Sequence, residues 1–207
     1  IATLFFISQF FSPTLQGYYY IFLSFIALQV FLELGLYSVI VNVASHEWSL
    51  LNLNVNKRII GNEENLSRLI SLGRGVFIWY GLVVITFMPS VGYIGITLLP
   101  IEDSEIWLKP WYFLVFFTGA HLFALPILSL LEGCGQILEI NKFRFYVGVI
   151  SSLGLWSSIY FGFGLWSLVI AAILVACLDV YLLFFHYREF FRPFWSYKTT
   201  HRVKWSS

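Results

Sequence analysis

The sequence predicts an all-α fold, a polytopic bundle of about six membrane helices, and three observations carry that prediction. Of 207 residues, 59% are apolar and 20% aromatic. Only 11% are charged, against roughly 25% in a soluble domain, and mean hydropathy is +0.81. The apolar residues run on unbroken over lengths near the ~20 residues that carry a helix across a bilayer, where a soluble helix would show a stripe at helical period. Lys and Arg, finally, collect on one side of the layout that these runs imply.

The chain opens apolar at Ile1–Phe11 (IATLFFISQFF). That run is too short to span and has no basic leader or cleavage signature, so it reads as a first helix that has lost its beginning, in a fragment. A turn at Ser12-Pro13 through Gly17 leads to the second span, Tyr18–Ala44, and then to a polar segment, Ser45–Ser67. The third span lies within Leu69–Leu99, kinked at Pro89. An acidic loop from Pro100 to Pro110 holds Glu102, Asp103 and Glu105. The fourth span is Trp111–Leu131, broken at Pro126, and Glu132–Lys142 is a polar link whose Glu132 and Glu139 read as solvated. Phe145–Phe161 is the fifth span, Gly162-Phe163-Gly164 a tight turn, and Leu165–Phe185 the sixth. Residues 1–187 thus form one transmembrane unit. Residues 188–207 form a basic, aromatic tail, which reads as a juxtamembrane segment drawn to anionic lipid on the inner surface or as the way into a further helix.

Charge placement sets the direction. Loops after the even-numbered spans hold eleven of the twelve basic residues, and the opposite side holds only Lys109. Basic residues mark cytoplasmic loops, so the expected N-terminus is cytoplasmic. The Asn65-Leu66-Ser67 acceptor pattern falls on that same side and is discounted. Tyr18 to Tyr20, Tyr93, Trp107, Trp111 and Trp166 read as one interfacial belt, with Tyr146, Tyr187 and Trp195 as the other. Cys134 and Cys177 read as packing residues. No basic field suits nucleic acid, no metal-ligand spacing or cofactor motif is present, and no nucleophile–base set points to an enzyme.

Glu33 is the most informative side chain, because a carboxylate at bilayer depth costs about 2.5–3.5 kcal/mol and normally faces a bundle interior or wet cavity. Gln29, Glu33 and Tyr37 follow one another at i, i+4 and would share a helix face. Thr118, His121, Ser129 and Glu132 recur at helical spacing in the fourth span, and Asp179 lies in the sixth. The candidate cavity for substrate or ion is therefore Glu33, Gln29, Tyr37, His121 and Asp179. The alternative for each is interhelical hydrogen bonding, worth roughly 0.6–2 kcal/mol.

Two strings add a family resemblance. Gly17-Tyr18 followed by Glu33-Leu34-Gly35-Leu36, and Leu131-Glu132-Gly133-Cys134-Gly135-Gln136, resemble segments of bacterial polysaccharide and O-antigen flippases. These are the Wzx-type members of the multidrug/oligosaccharidyl-lipid/polysaccharide exporter superfamily. The resemblance implies a transporter of two six-helix lobes, with this chain as the N-terminal lobe and the C-terminal lobe missing. It implies a multi-pass protein of the bacterial cytoplasmic membrane that flips undecaprenyl-diphosphate-linked oligosaccharide by alternating access. A drug/cation antiporter of the same superfamily, and a membrane glycosyltransferase or glycan polymerase using the acidic loop, are the alternatives. Basic cavity residues often handle the diphosphate in that family, and the spans here hold no mid-membrane Lys or Arg.

Overall fold

A computed structural model describes residues 2–30, 35–100 and 103–196. Its described part is almost wholly helical. In order come α1 (Ala2–Phe10), α2 (Pro13–Ala27), α3 (Leu36–Trp48), a hairpin of β1 (Leu51–Leu53) and β2 (Ile59–Gly61), then α4 (Glu63–Leu98) and α5 (Ser104–Leu131). A wide turn at Glu132–Gln136 leads into α6 (Ile137–Tyr160). It is followed by α7 (Trp166–Tyr181), which continues through Leu182–His186, and by α8 (Arg188–Ser196).

Three helices are long and apolar enough to cross a membrane: Glu63–Leu98, Ser104–Tyr160 taken through its bend, and Trp166–His186. The all-α class holds, while α1, α2 and α3, at 9, 15 and 13 residues, fall short of the length a crossing needs. The expected single helix over Tyr18–Ala44 is interrupted. Leu28 and Gln29 form a turn after α2, and α3 begins only after Gly35, whose φ of 79° is a left-handed value that side-chain-bearing residues avoid. Residues 31–34, including Glu33, lie outside the described residues.

Other boundaries move for local reasons. The start of α4 is set by Asn62, whose side chain accepts from the Glu64 and Asn65 amides (2.8 and 3.4 Å), an N-cap that places helix six residues ahead of the expected span. The acidic loop is shorter than expected because α5 begins at Ser104 and takes Pro110 into its second turn, where proline lacks the amide for the Ile106 carbonyl and its ring crowds that group. The stretch read as the sixth span, Leu165–Phe185, is helical over Trp166–His186.

Contact clustering divides the chain into two units. The first gathers Ile1–Leu32, Val83–Leu122 and Arg144–Leu178. Its centre is Trp111, fully buried, with Phe22 4.8 Å and Phe25 5.6 Å from its ring. Trp107 is also buried and donates to the Pro100 carbonyl (2.9 Å). Both tryptophans are core, not belt, as are Tyr18 and Tyr19, whereas Tyr93 and Trp166 remain exposed. Tyr18 donates to Asp103 (2.9 Å), and Trp156 to the Thr3 hydroxyl (3.0 Å), which ties α1 to α6.

The second unit gathers Glu33–Leu82, Phe123–Phe143 and Asp179–Ser207. Of the described basic residues it holds Lys57, Arg58, Arg68, Arg74, Lys142, Arg188 and Arg192, and the first unit holds Lys109 and Arg144. In the second unit α8 lays Phe190 and Phe194 inward. Phe194 meets Phe77 at 6.1 Å, a Cβ on Gly73 would lie 2.4 Å from the Phe194 ring, and Arg74 donates to the Phe194 carbonyl (2.7 Å). Phe191 and Phe194 of the tail therefore pack on α4, which the alternating sequence did not reveal.

Candidate functional site

The second unit contains a polar hub built on the wide turn after α5. A left-handed glycine commonly ends one helix before the next begins. Here the helix breaks at Cys134 and at Gly135, whose φ is 77°. Glycine is required twice over. Gly135 takes the left-handed conformation, and Gly133 leaves room for α3, because a Cβ there would lie 2.6 Å from Ala44 Cβ and 2.8 Å from the Val41 carbonyl oxygen.

That close approach brings Tyr37 of α3 onto Glu132, where the phenol donates to the carboxylate Oε2. Glu132 is buried, which corrects its reading as a solvated link residue. The Leu131–Gln136 string is thus packed on α3, which begins at Leu36. On its other side the turn accepts a hydrogen bond through Gln136 Oε1 from Tyr187 (3.2 Å), and Trp48 stands over Gly135. Burial, with the Glu139 carboxylate adding, pushes the Tyr187 phenol up to about 12, so it is a neutral donor at any physiological pH.

The β-hairpin completes the hub. Its turn is closed by the Asn54 side chain, which accepts from the Asn56 and Arg58 amides (3.0 and 2.9 Å). Lys57 sits there at a φ of 57°, a conformation that costs a non-glycine residue about 1–2 kcal/mol. Its ammonium lies 4.3 Å from the centre of the Tyr187 ring and touches His186 Nε2. Burial lowers the Lys57 pKa, and Glu139 opposes the shift. Arg58 pairs with Glu189 at 2.9 Å, holding that carboxyl below its ordinary value of 4.5. The pair therefore stabilises the start of α8 above that pH, and the contribution is lost as pH falls through the lowered value. Amide exchange over 188–196, corrected for intrinsic rate, should speed up between about pH 6 and about pH 3 in the parent and be insensitive to that change in Arg58→Gln.

Among the sequence-predicted residues, Glu33 lies outside the described ones. Gln29 belongs to the first unit and Tyr37 to the second, each on its own segment, so the expected i, i+4 face is not one continuous helix. Gln29 Oε1 is buried with no hydrogen-bond partner among the described residues. His121 is half-buried in the first unit, and Asp179 is buried in the second. Thr118 and Ser129 are buried too. Cys134 is buried in the bend and Cys177 exposed on α7, so only the former packs. Among the described residues no group of three His, Cys, Asp or Glu could hold a metal ion. The residues that sequence reasoning missed are Glu132, Gln136, Tyr187 and Lys57. Their one advance signal was the glycine pair flanking Cys134, which marks backbone that must bend or be approached closely.

Tyr37→Phe removes the donor to Glu132 and should lower thermal stability in detergent by about 1–2 kcal/mol. That exceeds the ~0.6 average for hydrogen bonds between membrane helices, because bonds to carboxylates are the stronger kind. A melting temperature equal to the parent's would mean the contact contributes nothing.

Comparison with protein-family models, with curated proteins and with solved structures finds no match to this chain.

Proposed function

We propose that this chain is one lobe of a bacterial cytoplasmic-membrane transporter that flips a lipid-linked oligosaccharide by alternating access. One observation carries the reading. Tyr37, the residue after the Glu33–Leu36 string, donates to the buried Glu132 of the Leu131–Gln136 string, and Gly133 of that second string allows the close approach. Three long apolar helices and the gathering of basic residues in one unit support a membrane setting with a cytoplasmic end. In this reading the left-handed Gly135 separates two crossings within Ser104–Tyr160, and the broken segment around Gly35 lines the substrate path.

The physical case is direct. An oligosaccharide cannot enter hydrocarbon, because each unpaired hydroxyl costs about 2–7 kcal/mol to bury. A groove that offers hydrogen-bonding side chains while the lipid tail stays in the bilayer removes most of that barrier, and midplane sites exposed by rocking lobes are a common solution. Helices broken near an acidic residue are the usual means of lining such a site. Glu33 is the residue proposed to handle substrate or coupling ion, and Gln29, Tyr37, His121 and Asp179 are the other candidates.

The test is replacement in the full-length protein in its own cell. Glu33→Gln and Glu33→Leu should each lower surface glycan at least ~10-fold, the loss of about 1.4 kcal/mol of transition-state stabilisation, while lipid-linked oligosaccharide accumulates. Unchanged export in both variants removes the role of Glu33. Unchanged glycan on deletion of the whole protein removes the flippase reading: sensitivity to cationic drugs would then favour an antiporter, and loss of polymer synthesis in vitro from a lipid-linked donor a polymerase.

A further inference from the structure

The last membrane helix and the short helix after it divide their side chains in a way the flippase reading does not use. Trp166–His186 is 21 residues long, about 31 Å at ~1.5 Å per residue, the thickness of the hydrocarbon layer. Residues beyond His186 therefore emerge at headgroup depth. The helix turns at Tyr187, and α8 follows.

The buried face of α8 is occupied. Phe190 and Phe194 are covered by protein, Phe190 lying 6.2 Å from Trp48, and Glu189 is held by Arg58. Its other face carries Arg188, Arg192 and Trp195, spaced four and three residues apart and so aligned. All three are exposed, Trp195 at 84%. On the preceding helix Phe184 and Phe185 are exposed as well, and the sequence beyond Ser196 adds Lys198, Arg202 and Lys204. An indole left bare one turn beyond two aligned arginines, of which Arg192 also pairs with Glu189 at 3.6 Å, has the chemistry of the headgroup zone. The ring sits among glycerol and phosphate, and arginine pairs with phosphate oxygens through two parallel N–H donors.

We propose that the Arg188/Arg192/Trp195 face of α8 binds the phosphate headgroups of anionic phospholipid, while Phe191 and Phe194 fasten the helix to α4. The partner is a lipid surface with net negative charge. A basic side chain at such a surface favours it about five-fold, equivalent to about 1 kcal/mol.

The experiment uses the full chain reconstituted in phosphatidylcholine vesicles containing either acyl-brominated phosphatidylglycerol or acyl-brominated phosphatidylcholine. The emission of Trp195 is taken as the difference between the parent and Trp195→Phe. Quenching should favour the brominated phosphatidylglycerol. That preference should fall about five-fold for each arginine removed in Arg188→Gln and in the double Arg188→Gln/Arg192→Gln variant, and most of it should survive in Arg188→Lys/Arg192→Lys. It should also shrink as salt rises and the Debye length shortens. Equal quenching by the two lipids overturns the proposal, as does a preference that survives loss of both arginines. Quenching by neither lipid also overturns it, since the face would then be covered by protein or lie in water. If the glutamine variants do not insert, the parent's salt dependence decides: a preference unmoved by high salt overturns the proposal.

Discussion

Trp111→Ala should lower the stability of the detergent-solubilised chain by about 3–5 kcal/mol, the range for deleting a fully buried large aromatic. The indole is completely covered, with Phe22 and Phe25 on its faces and its N–H donated to the Gly92 carbonyl at 3.1 Å. Membrane helices gain little from apolar transfer, so the loss is mainly of packing, and nothing nearby is placed to refill the space. The same pocket rejects additions. A Cβ on Gly95 would lie 2.4–2.5 Å from indole atoms, and the ring is penned between its neighbours, so Gly95→Ala should cost about 1–3 kcal/mol. Trp166→Ala, on a partly exposed ring, is the control and should move the melting temperature little. A Trp111→Ala protein that melts with the parent would show that this core does not hold the first unit together.

Gly133→Val should separate α3 from the wide turn, with a loss of about 3 kcal/mol or more and with the Tyr37–Glu132 contact broken. The clash is with Ala44 Cβ at 2.6 Å and with a backbone oxygen, Val41 O, at 2.8 Å. A side-chain tip could swing aside, but a main-chain carbonyl moves only with its helix. Overpacking against backbone therefore sits at the upper end of the usual 1–3 kcal/mol range. Gly133→Ala should cost less, and Ala44→Gly should restore part of that loss, because it removes the nearer of the two obstacles. The coupling energy from that double-mutant cycle, read by thermal melting, should be at least ~0.5 kcal/mol. Additive effects of the two substitutions would place the Gly133 requirement somewhere other than this contact.

Both predictions concern residues whose importance the sequence showed only in outline. Gly133 and Gly135 were visible as a string, because two glycines around a cysteine are unusual in a polar link. That Glu132 faces inward was not visible, since its neighbours in sequence are a leucine and a glycine and its partner Tyr37 is 95 residues away. The break after α2 was hidden for a different reason. The stretch from Tyr18 to Ala44 is predominantly apolar, and such a run carries little mark of where a helix stops except a residue such as Gly35, whose left-handed φ depends on context. The hairpin strands LNL and IIG are too short for any period to show.

The helical class and the apolar runs that become the long helices were set by the sequence alone. They follow from local composition, since backbone groups in hydrocarbon must be satisfied within their own segment. Which aromatic rings are covered by protein and which stay exposed was decided only by tertiary structure. Trp107, Trp111 and Tyr187 are buried, while Trp166 and Trp195 are not. Inside a membrane both environments are apolar, so hydropathy cannot tell them apart. Close packing can, through the glycines that let one helix approach another and the distant donors that meet a buried acceptor.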